Sequence, residues 1–198
     1  MERTAKRIRT EPKVYLGFGG CFCPPHKGHF DSVQKYWTLY QPDVLQLVIA
    51  EDAEQRHGVP IEEIKQLWKI YLKLLVPING DNTQIAEIVS ASEPVEKAIS
   101  LGMNRTDVGR VVVVVGSDYD KETVVRYESL MKRKTEKTRP ENRKQYELLV
   151  NTRDGKLSAT EFVACLLAEH NCDEFLPHAL PASEKKRVTS KLRTFKLK

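Results

Sequence analysis

The 198-residue sequence contains no apolar run approaching the ~20 residues that a membrane-spanning helix needs. That excludes an integral helical membrane protein. Cysteine is scarce: Cys21, Cys23, Cys165 and Cys172 do not form the disulfide pattern of a small secreted domain, and they fit a reducing compartment. Cys21 and Cys23 alternate along an extended segment, so their side chains point to opposite faces, which argues against a metal clamp. No metal site in the protein is expected. There is no internal repeat and no low-complexity linker. Met1 to Thr10 is basic but lacks an apolar core, so it does not read as a secretory signal, and it is short for a transit peptide. A cytoplasmic protein is expected.

Charge of one sign is also lacking. The net charge is only +5, from 32 basic and 27 acidic residues, although it is unevenly spread. Lys132 to Lys144 and the stretch from Glu184 onward are both rich in lysine and arginine. Each reads as a solvated, partly mobile segment or as a surface attractive to polyanions, either a nucleoside triphosphate or nucleic acid. The length suits one domain with a full-sized core. It divides into a basic extension (1–12), a main domain (13–181) and a basic tail (182–198). The tail also carries Val188, Leu192, Phe195 and Leu197, and it can dock on the domain, on a second subunit or on nucleic acid.

What is present is an alternation of strands and helices. Strands are expected at 13–18, 44–50, 84–89, 110–115 and 146–150. The fourth contains five consecutive valines, as a strand buried on both faces would. Helices are expected at 29–40, 61–75, 94–101 (ended by Gly102) and 158–170 (capped by Ser158). This order implies a Rossmann-like α/β fold: a parallel five-stranded sheet with helices on both faces, and ligands beyond the carboxyl ends of the strands. Trp37 and Trp68 read as packing residues. His170 and His178 read as surface residues.

The densest signal is "GGCFCPPHKGH" at residues 19–29, which follows the first strand. Gly19 and Gly20 allow close backbone approach, the prolines stiffen the path, and Gly28 leaves space between His26 and His29. Both imidazoles then lie where a helix begins, where free N–H groups and the positive helix end favour phosphate. Two imidazoles there can donate hydrogen bonds to phosphoryl oxygens as charge builds in a transition state. Arg56 and His57, after the second strand, read as exposed loop charges or as residues that can reach an acceptor substrate.

This turn resembles the GGSFDPPHxGH signature of the HxGH nucleotidyltransferases, the cytidylyltransferase-like superfamily. By this motif the nicotinamide and nicotinate mononucleotide adenylyltransferases look most similar, and the stretch from Ser158 resembles phage-encoded relatives. "LSATEFV" (157–163) is similar to the second signature, ISSTxxR, and "GSD" (116–118) to the loop beside the nucleotide. The resemblance spans about residues 13–176. It implies that His26 and His29 contact the phosphates, within a nucleotide-binding turn containing Gly19, Gly20, Phe22 and Gly28. Ser158 and Thr160 would hold the distal phosphates, and Gly116 and Asp118 would lie against base or ribose. Mg2+ would accompany ATP or CTP. A nucleoside monophosphate, AMP more readily than CMP, would pass to a small phosphorylated acceptor such as nicotinamide or nicotinate mononucleotide, releasing pyrophosphate. Two positions depart from the pattern. Cys23 stands where the family has aspartate, and Val163 stands where it has the arginine that steadies the triphosphate. Lys156 is the expected substitute. The alternative is a catalytically weak nucleotide- or RNA-binding protein on the same fold.

Overall fold

The structure, a computed structural model, describes residues 12–75, 84–138, 140–152 and 157–198. Five strands, β1 (Val14–Gly20), β2 (Val44–Ala50), β3 (Gln84–Ala91), β4 (Arg110–Gly116) and β5 (Gln145–Asn151), form one parallel sheet in the order β3-β2-β1-β4-β5. Seven helices accompany them among the described residues: α1 (Lys27–Tyr40), α2 (Ala53–His57), α3 (Ile61–Leu72), α4 (Pro94–Asn104), α5 (Lys121–Glu136), α6 (Ala159–Leu167) and α7 (Ala182–Arg193). None is long and apolar enough to cross a membrane.

Alternation along each strand sends side chains to two separate cores. Leu16, Phe18, Leu45, Leu47, Val112 and Val114 pack with α1, α3, α6 and α7. Tyr15, Val44, Val48, Val111, Val113 and Val115 pack with α4 and α5. The valine run of β4 therefore serves both faces. Full burial of each such side chain stabilises by roughly 1.5 kcal/mol or more.

Several elements differ from the sequence expectation. Gly102 does not end a helix; it is buried inside α4, which continues to Asn104. A Cβ at Gly102 would lie 2.6 Å from the Tyr15 ring and 2.8 Å from Val111, so glycine lets α4 close onto the sheet. The end of α4 is instead secured by Lys144, whose Nζ donates to the carbonyls of Gly102 (3.0 Å), Met103 (2.9 Å) and Arg105. Much of the basic run from Lys132 belongs to α5, which begins at the Asp120 cap and buries only Tyr127 and Met131. The stretch from 182 forms α7 and docks on the domain. Val188 and Leu192 enter the core, Lys191 pairs with Glu63 at 3.3 Å, and Arg193 donates to the carbonyls of Leu166 and His170. Cys165 and Cys172, whose spacing gave no disulfide signal, are joined in a disulfide; Cys21 and Cys23 are thiols. The chain reverses after α6 at Glu169, with φ 56°, and a separation of seven residues in sequence does not reveal that turn.

Candidate active site

Strand order reverses direction at β1, between its neighbours β2 and β4, and a crevice opens beyond the carboxyl ends there. A cavity of about 630 Å³ occupies it. Its lining takes in the ends of four strands, at Gly20, Ala50, Gly116 and Asn151, and Ser92 just past the end of the fifth. The segments after β1, β4 and β5 bring Phe22, Asp118 and Leu157 to the same wall.

The turn after β1 forms the centre of this cavity. A Cβ at Gly19 would lie 2.6 Å from the backbone of Val95, so only glycine allows the first turn of α4 to rest directly on β1. Phe22 adopts a left-handed backbone, φ 48°, which costs a residue with a Cβ roughly 1 kcal/mol. Its ring is held edge-on by Trp68 at 5.6 Å and meets His29 at 5.4 Å. His26 is the cap residue of α1 and is 2% exposed. Its Nδ1 accepts the Gly28 N–H at 3.1 Å, which places the proton of the neutral ring on Nε2. The His26 and His29 rings lie 3.8 Å apart at 32°. A Cβ at Gly28 would sit 3.0 Å from His26 Cε1, so Gly28 gives that ring its room.

A short relay ties α1 to β5. Asn151 Nδ2 donates to Ser32 Oγ at 2.8 Å, and Ser32 Oγ donates to the Gly28 carbonyl at 2.9 Å. Neither residue was legible as a site residue in the sequence, since their meeting depends on β5 lying beside α1. On another part of the wall, Arg56 is gripped by Asp52 through Nε (2.8 Å) and Nη2 (2.6 Å). Burial pushes the Tyr119 hydroxyl up to about 12, so it remains a donor at neutral pH. Burial also raises the Cys21 thiol, opposed by the nearby Arg56 charge.

Charge in the lining is balanced rather than positive. Lys27 pairs with Asp31 at 3.2 Å and Arg56 with Asp52, while Glu93 and Asp118 add carboxylates. Any preference for an anion must therefore come from directed N–H groups more than from net charge. Among the described residues no group of three His, Cys, Asp or Glu side chains could hold a metal ion.

The sequence-derived site residues divide into two groups. Gly19, Gly20, Phe22, His26, Gly28, His29, Gly116 and Asp118 all line the cavity, and the Asp118 carboxylate folds back over Gly116 where a Cβ would stand. Ser158 and Thr160 do not line it. Ser158 Oγ accepts the Glu161 N–H at 3.1 Å, and the Glu161 carboxylate returns to the Ser158 N–H at 2.9 Å, a complete capping box. Thr160 is exposed on the first turn of α6. Val163 is 4% exposed, packed on the inner side of α6. Lys156 lies outside the described residues. Lys27, Ser32, Lys35, Asp52, Arg56 and Asn151 also line the wall; of these only Lys27 and Arg56 carried a sequence signal, Lys27 by its place inside the turn and Arg56 by its place after β2.

No protein-family model matches the chain, and no curated protein does. Solved structures do. One, described as "a Putative Nicotinate-nucleotide Adenylyltransferase from Vibrio parahaemolyticus", aligns over 91% of this chain and 98% of its own, with a TM-score of 0.56 and 15% sequence identity. At that identity the likeness establishes a shared α/β architecture along nearly the whole length of both chains.

Proposed function

We propose that the chain is a nucleotidyltransferase. It would transfer a nucleoside monophosphate, AMP more readily than CMP, from a triphosphate to a small phosphorylated acceptor. Nicotinamide or nicotinate mononucleotide is the leading acceptor, in keeping with the description of the structural neighbour. The observation that carries this reading is the pairing of buried His26 with half-buried His29, rings 3.8 Å apart at the head of α1, above a glycine floor. An acceptor phosphate oxygen attacks the α-phosphorus in line, the new P–O bond forms, and the bond to pyrophosphate breaks. His26 Nε2–H donates to a phosphoryl oxygen as negative charge grows there. The first N–H groups of α1 assist. Arg56, hydrogen-bonded to Asp52, suits the acceptor's phosphate. Mg2+ enters as part of the triphosphate substrate and neutralises the leaving pyrophosphate. Lys156 is proposed to replace the arginine absent at Val163. On that assignment Lys156→Ala raises the triphosphate KM or lowers kcat about tenfold, and unchanged kinetics would remove Lys156 from the mechanism.

The test is pyrophosphate release with Mg2+, ATP or CTP, and a panel of phosphorylated acceptors, beside the His26→Ala/His29→Ala variant. Turnover with one pair, lost in the variant, supports the enzyme and identifies both substrates. One observation favours a second reading, a nucleotide- or RNA-binding protein of weak activity: Val163 points into the core, so α6 presents no guanidinium at that position. Nucleotide binding without pyrophosphate release, or strongly salt-dependent RNA binding, would favour it.

A further inference from the structure

The segment that follows α7 reaches back to Gly58, at the end of α2. After Leu192 the chain turns tightly, with Phe195 N–H donating to the Leu192 carbonyl (3.2 Å) and Leu197 N–H to the Phe195 carbonyl (2.9 Å). Phe195 and Leu197 face inward against the core, while Lys196 and Lys198 face water. The backbone of Lys196 and Leu197 lies directly against Gly58. A Cβ on Gly58 would overlap the Lys196 carbonyl and approach Leu197 Cα to 3.3 Å. Gly58 is also the left-handed cap of α2, with φ 75°, and its N–H closes the helix on the Glu54 carbonyl at 2.7 Å. Glycine at 58 is thus required twice, by conformation and by the crossing chain.

What lies on either side of Gly58 gives this contact its meaning. Two residues before it, Arg56 lines the cavity in the grip of Asp52. One residue after it, Val59 is fully buried and its backbone hydrogen-bonds the Cys23 sulfur within the histidine turn. A five-residue helix has too few internal hydrogen bonds to hold itself in place. Its position depends on its flanks, and residues 195–198 cover one of them.

We propose that residues 195–198 are a positioning strap: by packing on Gly58 they fix Arg56 on the cavity wall and, through the adjoining Val59, steady the turn that carries His26 and His29. None of the four is a catalytic residue. The part of this proposal that concerns acceptor binding rests on the nucleotidyltransferase reading; the clamp itself does not.

The experiment compares the full chain with two variants, deletion of 195–198 and the milder Leu197→Asp, by amide hydrogen exchange and by steady-state kinetics. Exchange in residues 51–59 and 21–26 is expected to quicken at least about tenfold while β1 and β4 remain protected. Unchanged protection at 51–59 overturns the proposal. So does a uniform loss across β1 and β4 in both variants, which would make the segment an ordinary part of the core. If the full chain turns over, the acceptor KM is expected to rise about tenfold and the triphosphate KM by less. Equal changes in both, or none, refute the positioning of Arg56. If the full chain releases no pyrophosphate with any pair, the nucleotidyltransferase reading has failed, and hydrogen exchange alone decides the strap.

Discussion

Two helices were expected from the sequence to present their N-termini to a triphosphate, and the structure builds them differently. At α1 the cap is His26, buried, with one ring nitrogen engaged by Gly28 and its partner ring stacked beside it. At α6 the cap is Ser158, whose hydroxyl and whose N–H are both engaged by Glu161. The first end directs polar groups into a cavity. The second satisfies its own orphan groups, as a helix end does when its task is to stay folded. The same position in two helices thus faces a cavity in one and closes on its own helix in the other. The residues that separate them are a histidine pair in one case and a serine–glutamate pair in the other.

Substitutions can break or sharpen this contrast. The largest effect belongs to His26→Ala/His29→Ala, expected to lower pyrophosphate release at least about a thousandfold in a kinetic assay, with circular dichroism unchanged. Next is Val163→Arg, which places in α6 the arginine of the resembling family. Because the site is buried, it is expected to cost about 3 kcal/mol by urea unfolding and to restore no activity. A gain in activity would mean that α6 can turn that face toward substrate. Gly19→Ala should destabilise by about 2 kcal/mol, because the new methyl meets the backbone of Val95 rather than a movable side chain. The smallest is Ser158→Ala, expected to cost about 1 kcal/mol of stability while leaving the triphosphate KM unchanged. A raised KM with little stability loss would erase the contrast between the two ends.

The parts of the molecule that were legible share one property: their signal is local. The valines of β4 and the turn at 19–29 each announce their place in the fold within a dozen residues. The helix α5 was missed because only Tyr127 and Met131 face inward, too thin a stripe among charged neighbours to register as periodic. The helix α7 read as a tail for the same reason, its fully buried apolar positions being Val188 and Leu192. Gly102 read as a stop because nothing nearby in sequence announces the Tyr15 ring that it accommodates. Asn151 and Ser32 stand 119 positions apart. Their hydrogen bond is a consequence of strand order, which no window on the sequence contains.

Both ends of α4 are anchored to something other than α4. Its first turn rests on Gly19, and its last carbonyls converge on Lys144. Eleven residues at ~1.5 Å each make it a strut of about 16 Å. Such a strut cannot slide at one end alone. Lys144 stands just ahead of β5, at the edge of the sheet opposite the cavity. Lys144→Ala is therefore expected to loosen the last turn of the strut, read as faster amide exchange in α4, rather than only to alter surface charge.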